Sequence, residues 1–197
     1  ETDSTLKDMH EYFRDRTPTE KNQYTGMFQG KNLLLFTGEA FWIGAVNEQY
    51  TPTLYKLAHS GFVFENFYNP LWYYSTVDGE YAATTGLIPT NQVNASQRYA
   101  GKNGVSMYFS MGNQLRALGY PTLAYHNNTA NYYDRNLSHP NLGYDFYACD
   151  TGLDVAMTWP QSDLEMMQLT LPQALAGEKP FHNYYMTVSG HMNYSFA

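Results

Sequence analysis

Apolar residues are arranged along this chain in two ways, as short continuous runs and as stripes that recur every three or four positions. The run KNLLLFTGE at residues 31–39 is continuous, which predicts a strand buried on both faces, as in a parallel α/β sheet. Shorter runs predict two more strands, at residues 122–125 and 181–188, and alternating apolar residues predict another at residues 62–68. Helical spacing predicts helices at residues 1–16, 51–61, 106–118 and from residue 162 onward. Because strands and helices alternate, we predict a three-layer α/β sandwich with a mostly parallel central sheet.

A polar turn within residues 71–89, LWYYSTVDGEYAATTGLIP, contains two adjacent hydroxyl groups, those of Ser75 and Thr76. Ser75 followed by Asp78 is typical of a capping box, so a helix is predicted to begin here and to end at Gly86. A hydroxyl at a helix N-terminus lies among unpaired N–H donors and partial positive charge. Such a position favours a phosphate or a developing oxyanion. The alternative is that both hydroxyl groups only cap the helix.

Composition narrows the classes of function. The chain has 197 residues, enough for one domain or for one and a fragment, and 43% are hydrophobic, enough for a core. Its 19 tyrosines suit a cleft for hydroxylated or phosphorylated ligands. A net charge of −7 argues against a nucleic-acid-binding protein and against membrane attachment through basic residues. The single cysteine, Cys149, has no partner for an internal disulfide.

Five polar residues follow predicted strands or begin a predicted helix: Glu39, Thr76, Asn128, Arg135 and His191. Together they indicate metal-assisted phosphoryl transfer, because a carboxylate and a hydroxyl oxygen can share a divalent cation that activates the hydroxyl as a nucleophile. An arginine holds phosphate oxygens in a bidentate fork, and a histidine hydrogen-bonds a phosphate or a substrate hydroxyl. Taken singly, each residue has a structural alternative: a turn residue for Glu39, an exposed salt bridge for Arg135 and a core histidine for His191.

Several segments, in this order along the chain, resemble the lipoteichoic acid synthase family of the sulfatase and alkaline phosphatase superfamily. They are GKNLLLFTGEAF, STVDGEY with TTGLIPTN after it, MGNQLRALGY, AYHNNTANYYDR, NLGYD, WPQSDLEMM and YYMTVSGHMNYS. The resemblance implies a phosphoglycerol transferase. In this family a threonine takes glycerol phosphate from the headgroup of phosphatidylglycerol and passes it to a growing polyglycerol-phosphate chain. A divalent metal ion assists, typically Mn²⁺, with Mg²⁺ as an alternative.

The resemblance also implies roles for individual residues. The nucleophile falls on Thr76, and the metal ligands fall on Glu39 and Thr76. Substrate-binding positions of the family fall on four further residues: Asn128, Tyr133, Arg135 and His191. Tyr73 and Tyr74 stand where relatives often have glycine, which is expected to reshape the approach to Thr76.

Domain organisation and location are expectations from the same resemblance. Residues 1–30 are expected to form an N-terminal helix and connection, and residues 31–197 a sulfatase-like catalytic domain. The family completes its metal site with an Asp-His pair, and no such dipeptide occurs here. Either the C-terminal part of the domain is absent or the protein has lost activity; we expect the first, with this portion inactive alone. The full-length protein is expected to be anchored in the bacterial cytoplasmic membrane and to face outward. Its expected partners are the phosphatidylglycerol headgroup and the polyglycerol-phosphate acceptor.

Two other functions remain open. The first is a sulfatase or another phosphoester hydrolase of the same superfamily. Sulfatases place their nucleophile in a C/S-x-P-x-R motif, and the turn STVDG has neither the proline nor the arginine, which argues against a sulfatase. The second is a non-catalytic module that binds glycerophosphate, which would use Arg135 and His191 and would need no metal.

Overall fold

The computed structural model of the chain contains two compact units, Glu1–Lys31 and Asn32–Ala197. The residues that it describes are 4–68, 75–89, 100–177 and 180–191. In the first unit, helix α1 spans Ser4–Arg14, within the helix predicted at residues 1–16. Its apolar side chains are exposed, including Phe13.

Within the described residues, four parallel strands form a sheet at the centre of the second unit. The strands are β1 (Leu33–Thr37), β2 (Thr122–His126), β3 (Asp145–Ala148) and β4 (His182–Met186). Their order in the sheet is β1-β4-β2-β3, and each neighbouring pair is parallel. The parallel α/β architecture predicted from the sequence is therefore confirmed.

Helices connect these strands. They are α2 (Pro52–Ala58), α3 (Ser75–Thr85), α4 (Met111–Ala117), α5 (Arg135–Asn141) and α6 (Asp163–Leu175). Helix α6 begins where the sequence predicts, because the Ser162 side chain caps it and accepts a hydrogen bond from the Glu165 N–H at 3.2 Å. Helix α2 begins with Pro52, a residue whose fixed φ suits the first helical position.

Alternate residues of the strands point to opposite faces of the sheet, so two cores form. On one face, Ala124 and Tyr184 pack with Leu142, which ends α5. On the other face, Tyr125 and Tyr185 pack against Met166 of α6. Helices therefore cover both faces, and the predicted three-layer arrangement is confirmed.

A row of four aromatic rings crosses the second face, with one ring from each strand. In sheet order they are Phe36, Tyr185, Tyr125 and Tyr147, and neighbouring centroids are 5.2, 5.1 and 5.7 Å apart. Stacked cross-strand pairs of this kind stabilise a sheet beyond the burial of their surface. A slip of one residue would move a ring to the other face, so the row also fixes the register.

Two of the predicted strands differ from the structure. Residues 62–68 form an irregular segment with a turn at residues 65–66 instead of a strand, and their large apolar side chains, such as Phe64, are exposed. A strand needs a neighbouring strand to satisfy its backbone, and the described sheet provides none there. Strand β1 forms as predicted, but it is not buried on both faces, because it lies at the edge of the described sheet; Phe36 is 49% exposed.

The helical predictions need three corrections. The helix predicted from residue 106 begins at Met111, because buried Ser110 donates a hydrogen bond to the Leu142 carbonyl at 2.8 Å and takes the N-cap position. Leu164, which helical spacing predicts on the inner face of α6, is 68% exposed, and Met166 faces the core instead. Helix α5, with Pro140 in its last turn, was not predicted, and neither was the short strand β3.

Candidate functional site

The polar residues predicted to form the site follow the carboxyl ends of the strands. Glu39 comes two residues after β1, Asn128 two residues after β2 and His191 five residues after β4. These three strands are neighbours and run parallel, so their carboxyl ends share one edge of the sheet. Ligands of open parallel sheets bind at this edge.

Hydrogen bonds continue the pairing of β1 and β4 beyond the strand ends. The Thr187 N–H donates to the Thr37 carbonyl at 3.1 Å, and the Glu39 N–H donates to the Thr187 hydroxyl at 2.8 Å. Further along, Gly190 passes so close to Glu39 that a Cβ at this position would collide with the Glu39 carbonyl oxygen. The segments that carry Glu39 and His191 are therefore held against each other.

This close approach leads to a prediction for Gly190→Ala. The added methyl group must push the Glu39 and His191 segments apart, so we expect the free energy of unfolding to fall by about 1–3 kcal/mol. Gly61→Ala is the matched control, because the nearest atom to its new Cβ would be the Leu57 carbonyl oxygen at 3.9 Å, an ordinary contact. Denaturant unfolding of the full-length variants measures both. Equal stability of the two variants would contradict the close packing at Gly190.

A cleft of about 830 Å³ brings Glu39 and Thr76 together. Thr76 is half-buried in the first turn of α3, and Glu39, two residues after β1, is half-buried and lines the same cleft. Three small residues of α3 also line the cleft, Gly79, Ala82 and Ala83. The two residues predicted to share a metal ion thus line one cavity. The Ser75 side chain and the Tyr73-Tyr74 pair lie outside the described residues.

A buried ion pair lies behind this cleft. Glu80, one helical turn after Thr76, is 6% exposed, and Arg135, the first residue of α5, is 2% exposed. The Arg135 Nε donates to the two Glu80 carboxylate oxygens at 3.0 and 3.2 Å, and Nη2 donates to Oε1 as well. Burial by itself would lower the pKa of the Arg135 guanidinium. The negative charge of Glu80 and the hydrogen bonds to it have the larger effect together, so the pKa is raised. The salt bridge considered for Arg135 therefore exists, but it is buried and not exposed.

Two neutral histidines border the ion pair. Burial, reinforced by the positive charge of Arg135, lowers the pKa of His139 to about 3 and that of His126 to about 4. The His126 Nδ1–H donates to the Met186 carbonyl at 3.0 Å, and the His139 ring stacks on Tyr184 with centroids 5.8 Å apart. The cluster thus carries one positive and one negative charge, which compensate each other.

Arg135 still has N–H groups beyond those that bind Glu80. Its Nη1 donates to the Tyr132 carbonyl at 3.2 Å, and its guanidinium carbon lies 5.3 Å from the centroid of the Tyr133 ring. Of its five N–H groups, Nη1 and Nη2 each carry two. Glu80 and Tyr133 therefore hold the guanidinium in one orientation. A contact between Arg135 and a substrate oxygen stays a prediction.

Backbone strain accumulates beside the predicted site residues. Tyr133 and Asp134 have φ values of 58° and 54°, and Ala40, next to Glu39, has a φ of 50°. Residues with a Cβ rarely adopt this left-handed conformation, and it is found at functional sites more often than elsewhere. Partial burial raises the pKa of the Tyr133 hydroxyl, and the neighbouring Tyr132 raises it further.

The other two predicted substrate residues differ in exposure. Asn128 is half-buried, and its side-chain oxygen accepts a hydrogen bond from the Thr129 N–H at 2.8 Å. His191 is exposed, and its ring meets the ring of Trp159 edge to face with centroids 5.1 Å apart. The alternative of a core histidine is therefore wrong for His191. The predicted approach of Arg135 and His191 to one anion site remains a prediction.

The donor chemistry of Glu39 and Thr76 suits a hard divalent cation, which prefers oxygen ligands. Within the described ranges, no group of three or more His, Cys, Asp or Glu side chains is placed to hold a metal ion. The two oxygen donors thus fit part of a metal site, and their role as metal ligands stays a prediction. In the same part of the chain, no helix is both long and apolar enough to span a membrane.

Comparisons with known proteins identify the family and the fold of this chain. The sulfatase family profile matches residues 31–197. Lipoteichoic acid synthase 2 of Bacillus subtilis (strain 168) is 23% identical over 203 residues, which cover 95% of this chain and 30% of that protein. The crystal structure of the lipoteichoic acid synthase LtaP from Listeria monocytogenes superposes with a TM-score of 0.77 at 23% identity, over 96% of this chain and 48% of that one.

A second solved structure, a protein in the alkaline phosphatase superfamily from Vibrio parahaemolyticus, has a TM-score of 0.66 at 22% identity, over 85% of this chain and 42% of that one. The chain therefore spans less than half the length of each of these relatives. The matches confirm the family resemblance and the fold class that the sequence predicts.

Proposed function

The chain belongs to the sulfatase family and resembles its lipoteichoic acid synthases, and we propose that it is part of a phosphoglycerol transferase. The observation that carries this proposal is the shared cleft of Thr76 and Glu39 at the carboxyl edge of the sheet. A hydroxyl in the first turn of a helix, opposite a carboxylate that follows a parallel strand, suits the attack on a phosphodiester.

In the first half-reaction, the Thr76 oxygen attacks the phosphorus atom of the phosphatidylglycerol headgroup. A bond forms between this oxygen and phosphorus, and the bond from phosphorus to the diacylglycerol oxygen breaks. Diacylglycerol leaves with a proton in place of the one that Thr76 has lost, and glycerol phosphate remains esterified to Thr76. Helix α3 directs its N-terminal partial positive charge toward the negative charge that develops on the phosphoryl group.

In the second half-reaction, the terminal hydroxyl of the polyglycerol-phosphate acceptor attacks the same phosphorus atom. The Thr76–phosphorus bond breaks, Thr76 regains a proton, and the polymer is longer by one glycerol phosphate. The cleft is open and lined by apolar side chains as well as by Glu39, and it has space for both the donor and the acceptor in turn.

The other site residues bind and orient the substrate in this proposal. Arg135 and His191 contact phosphate or glycerol oxygens, while Tyr133 and Asn128 border the headgroup. A bound divalent cation, Mn²⁺ or alternatively Mg²⁺, supplies stabilisation of negative charge, with Glu39 and Thr76 as its ligands from this part of the protein. The full-length enzyme works on the outer face of the bacterial cytoplasmic membrane, to which it is anchored, and has no nucleic-acid partner.

The experiment measures the products of the full-length protein in vesicles that contain phosphatidylglycerol labelled in both the headgroup and the acyl chains. We expect Mn²⁺-dependent release of diacylglycerol, with the headgroup label in a polymer, and loss of both on chelation. Free glycerol phosphate without polymer would favour a hydrolase instead. Binding of the headgroup without any diacylglycerol release would favour a non-catalytic module, and turnover of a sulfate ester alone would favour a sulfatase.

A further inference from the structure

The carboxylate of Asp163, the first residue of α6, binds the turn that follows β4. Its Oδ1 accepts a hydrogen bond from the Val188 N–H at 2.8 Å, and its Oδ2 accepts one from the Ser189 N–H at 3.0 Å. In the reverse direction, the Asp163 N–H donates to the Ser189 hydroxyl at 2.8 Å, which itself donates to the Gln161 carbonyl at 2.9 Å. Four hydrogen bonds therefore join the start of α6 to two successive residues of this turn.

The turn held in this way ends at His191. The His191 N–H donates to the Val188 carbonyl at 2.8 Å, which closes the turn over residues 188–191. The segment that leads into α6 also touches the His191 side chain, since the ring of Trp159 packs edge to face against it. Both the backbone and the ring of His191 are thus oriented from residues 159–163.

Asp163 also contacts the end of the neighbouring strand β2. Its Oδ1 accepts a second hydrogen bond, from the side-chain amide of Asn127 at 3.0 Å, and Asn127 immediately precedes Asn128. One carboxylate therefore joins the ends of β2 and β4, which carry two of the proposed substrate-binding residues. An acidic residue in the first turn of a helix ordinarily interacts with that helix's own N-terminus, whereas this carboxylate accepts N–H groups from two strand ends.

We propose that Asp163 is a positioning residue that holds His191, through the turn at residues 188–191, in the orientation needed to contact the glycerol phosphate group of the substrate. The proposal deepens the proposed function and rests on it. A carboxylate is required because its two oxygens together accept the N–H groups of Val188, Ser189 and Asn127. An asparagine side chain has the same shape but only one oxygen, and its NH₂ group would face N–H donors that it cannot bind.

The test uses Asp163→Asn, His191→Ala and the double variant of the full-length protein, assayed by diacylglycerol release from phosphatidylglycerol vesicles with Mn²⁺. Asp163→Asn is expected to lower kcat/KM about 10- to 100-fold, mainly through KM, because a displaced histidine binds the substrate less well. In the His191→Ala background the same substitution is expected to change kcat/KM by less than about twofold, since the residue through which it acts is gone. An equal loss in both backgrounds would overturn the positioning role.

Glu165→Gln is the matched control, because the Glu165 carboxylate lies in the same helical turn and accepts a backbone N–H, that of Ala156, at 3.1 Å. It does not bind the turn at residues 188–191, and its kcat/KM is expected to stay within about twofold of wild type.

A second measurement is independent of activity. Hydrogen exchange in a peptide that covers residues 186–191 is expected to be faster in Asp163→Asn than in wild type or Glu165→Gln. Unchanged exchange would overturn the proposal even if activity falls. Wild-type protein that releases no diacylglycerol would overturn the proposed function and the substrate role of His191, while the exchange rates would still decide whether Asp163 holds the turn.

Discussion

Thr76→Ala is expected to abolish diacylglycerol release and phosphoglycerol transfer by the full-length protein, with little change in its melting temperature. Removal of a covalent nucleophile typically costs on the order of 10³- to 10⁶-fold in turnover, because no other group forms the bond to phosphorus. The Thr76 side chain is half-buried at the wall of an open cleft, so its truncation leaves no closed cavity. If the hydroxyl served only as a helix cap, its loss would cost about 1 kcal/mol and leave most of the turnover.

Two further variants of α3 separate the nucleophile from structural hydroxyl groups. Thr85→Ala removes a hydroxyl that donates to the Tyr81 carbonyl at 2.6 Å in the last turn of the helix, and it should retain nearly full turnover. Ser75→Ala is expected to lower stability and to reduce activity only in part. Mass spectrometry of a stalled reaction should find glycerol phosphate on Thr76. Wild-type turnover by Thr76→Ala, or an adduct on Ser75, would contradict the assignment.

The parts of this fold that follow local rules could be predicted from the sequence. The continuous apolar run before Glu39 predicts β1, and the rule for parallel sheets places Glu39 at the ligand-binding edge. Ser162 likewise predicted the start of α6, because a cap acts on residues only three positions away. In both cases the residues that form the element and the sequence pattern that predicts it lie in the same short segment.

Interactions between distant segments were beyond this kind of prediction. Glu80 and Arg135 are 55 residues apart, and Asp163 and Val188 are 25 apart. No periodicity connects such pairs, since their contact depends on how the helices pack on the sheet. The predicted strand at residues 62–68 was wrong for the same reason, because its alternating apolar residues say nothing about whether a neighbouring strand is present.

The buried ion pair gives Arg135 a structural role beside its proposed role in substrate binding. Glu80 is on α3, whose first turn carries Thr76, and Arg135 begins α5 directly after the strained residues Tyr133 and Asp134. The pair therefore joins the helix of the proposed nucleophile to the segment of the proposed substrate-binding residues. Arg135 neutralises Glu80 in the structure, and its contact with the substrate is proposed in addition. Variants that separate stability from turnover assign its contribution to each.

Arg135→Met is expected to lower the free energy of unfolding of the full-length protein by about 3–5 kcal/mol. The substitution keeps much of the side-chain volume but leaves the Glu80 carboxylate buried without its counter-ion, and an uncompensated buried charge is strongly destabilising. Denaturant unfolding followed by fluorescence measures the loss. Arg116→Met is the matched control, because Arg116 forms an ion pair with Asp145 at 2.9 Å that is open to solvent, and such pairs contribute about 0–1 kcal/mol. Similar stability of the two variants would contradict the importance of burial.

The double variant Glu80→Met with Arg135→Met then separates the two roles of Arg135. Replacement of both charges removes the uncompensated carboxylate, so the double variant is expected to be more stable than Arg135→Met alone. If Arg135 only neutralises Glu80, turnover should return together with stability. If a guanidinium N–H also binds a phosphate oxygen of the substrate, the double variant should be folded and still be defective, with a raised KM for phosphatidylglycerol. We expect the second result, because Nη1 and Nη2 carry four N–H groups, and the hydrogen bonds to the Tyr132 carbonyl and to Glu80 Oε1 use one on each nitrogen.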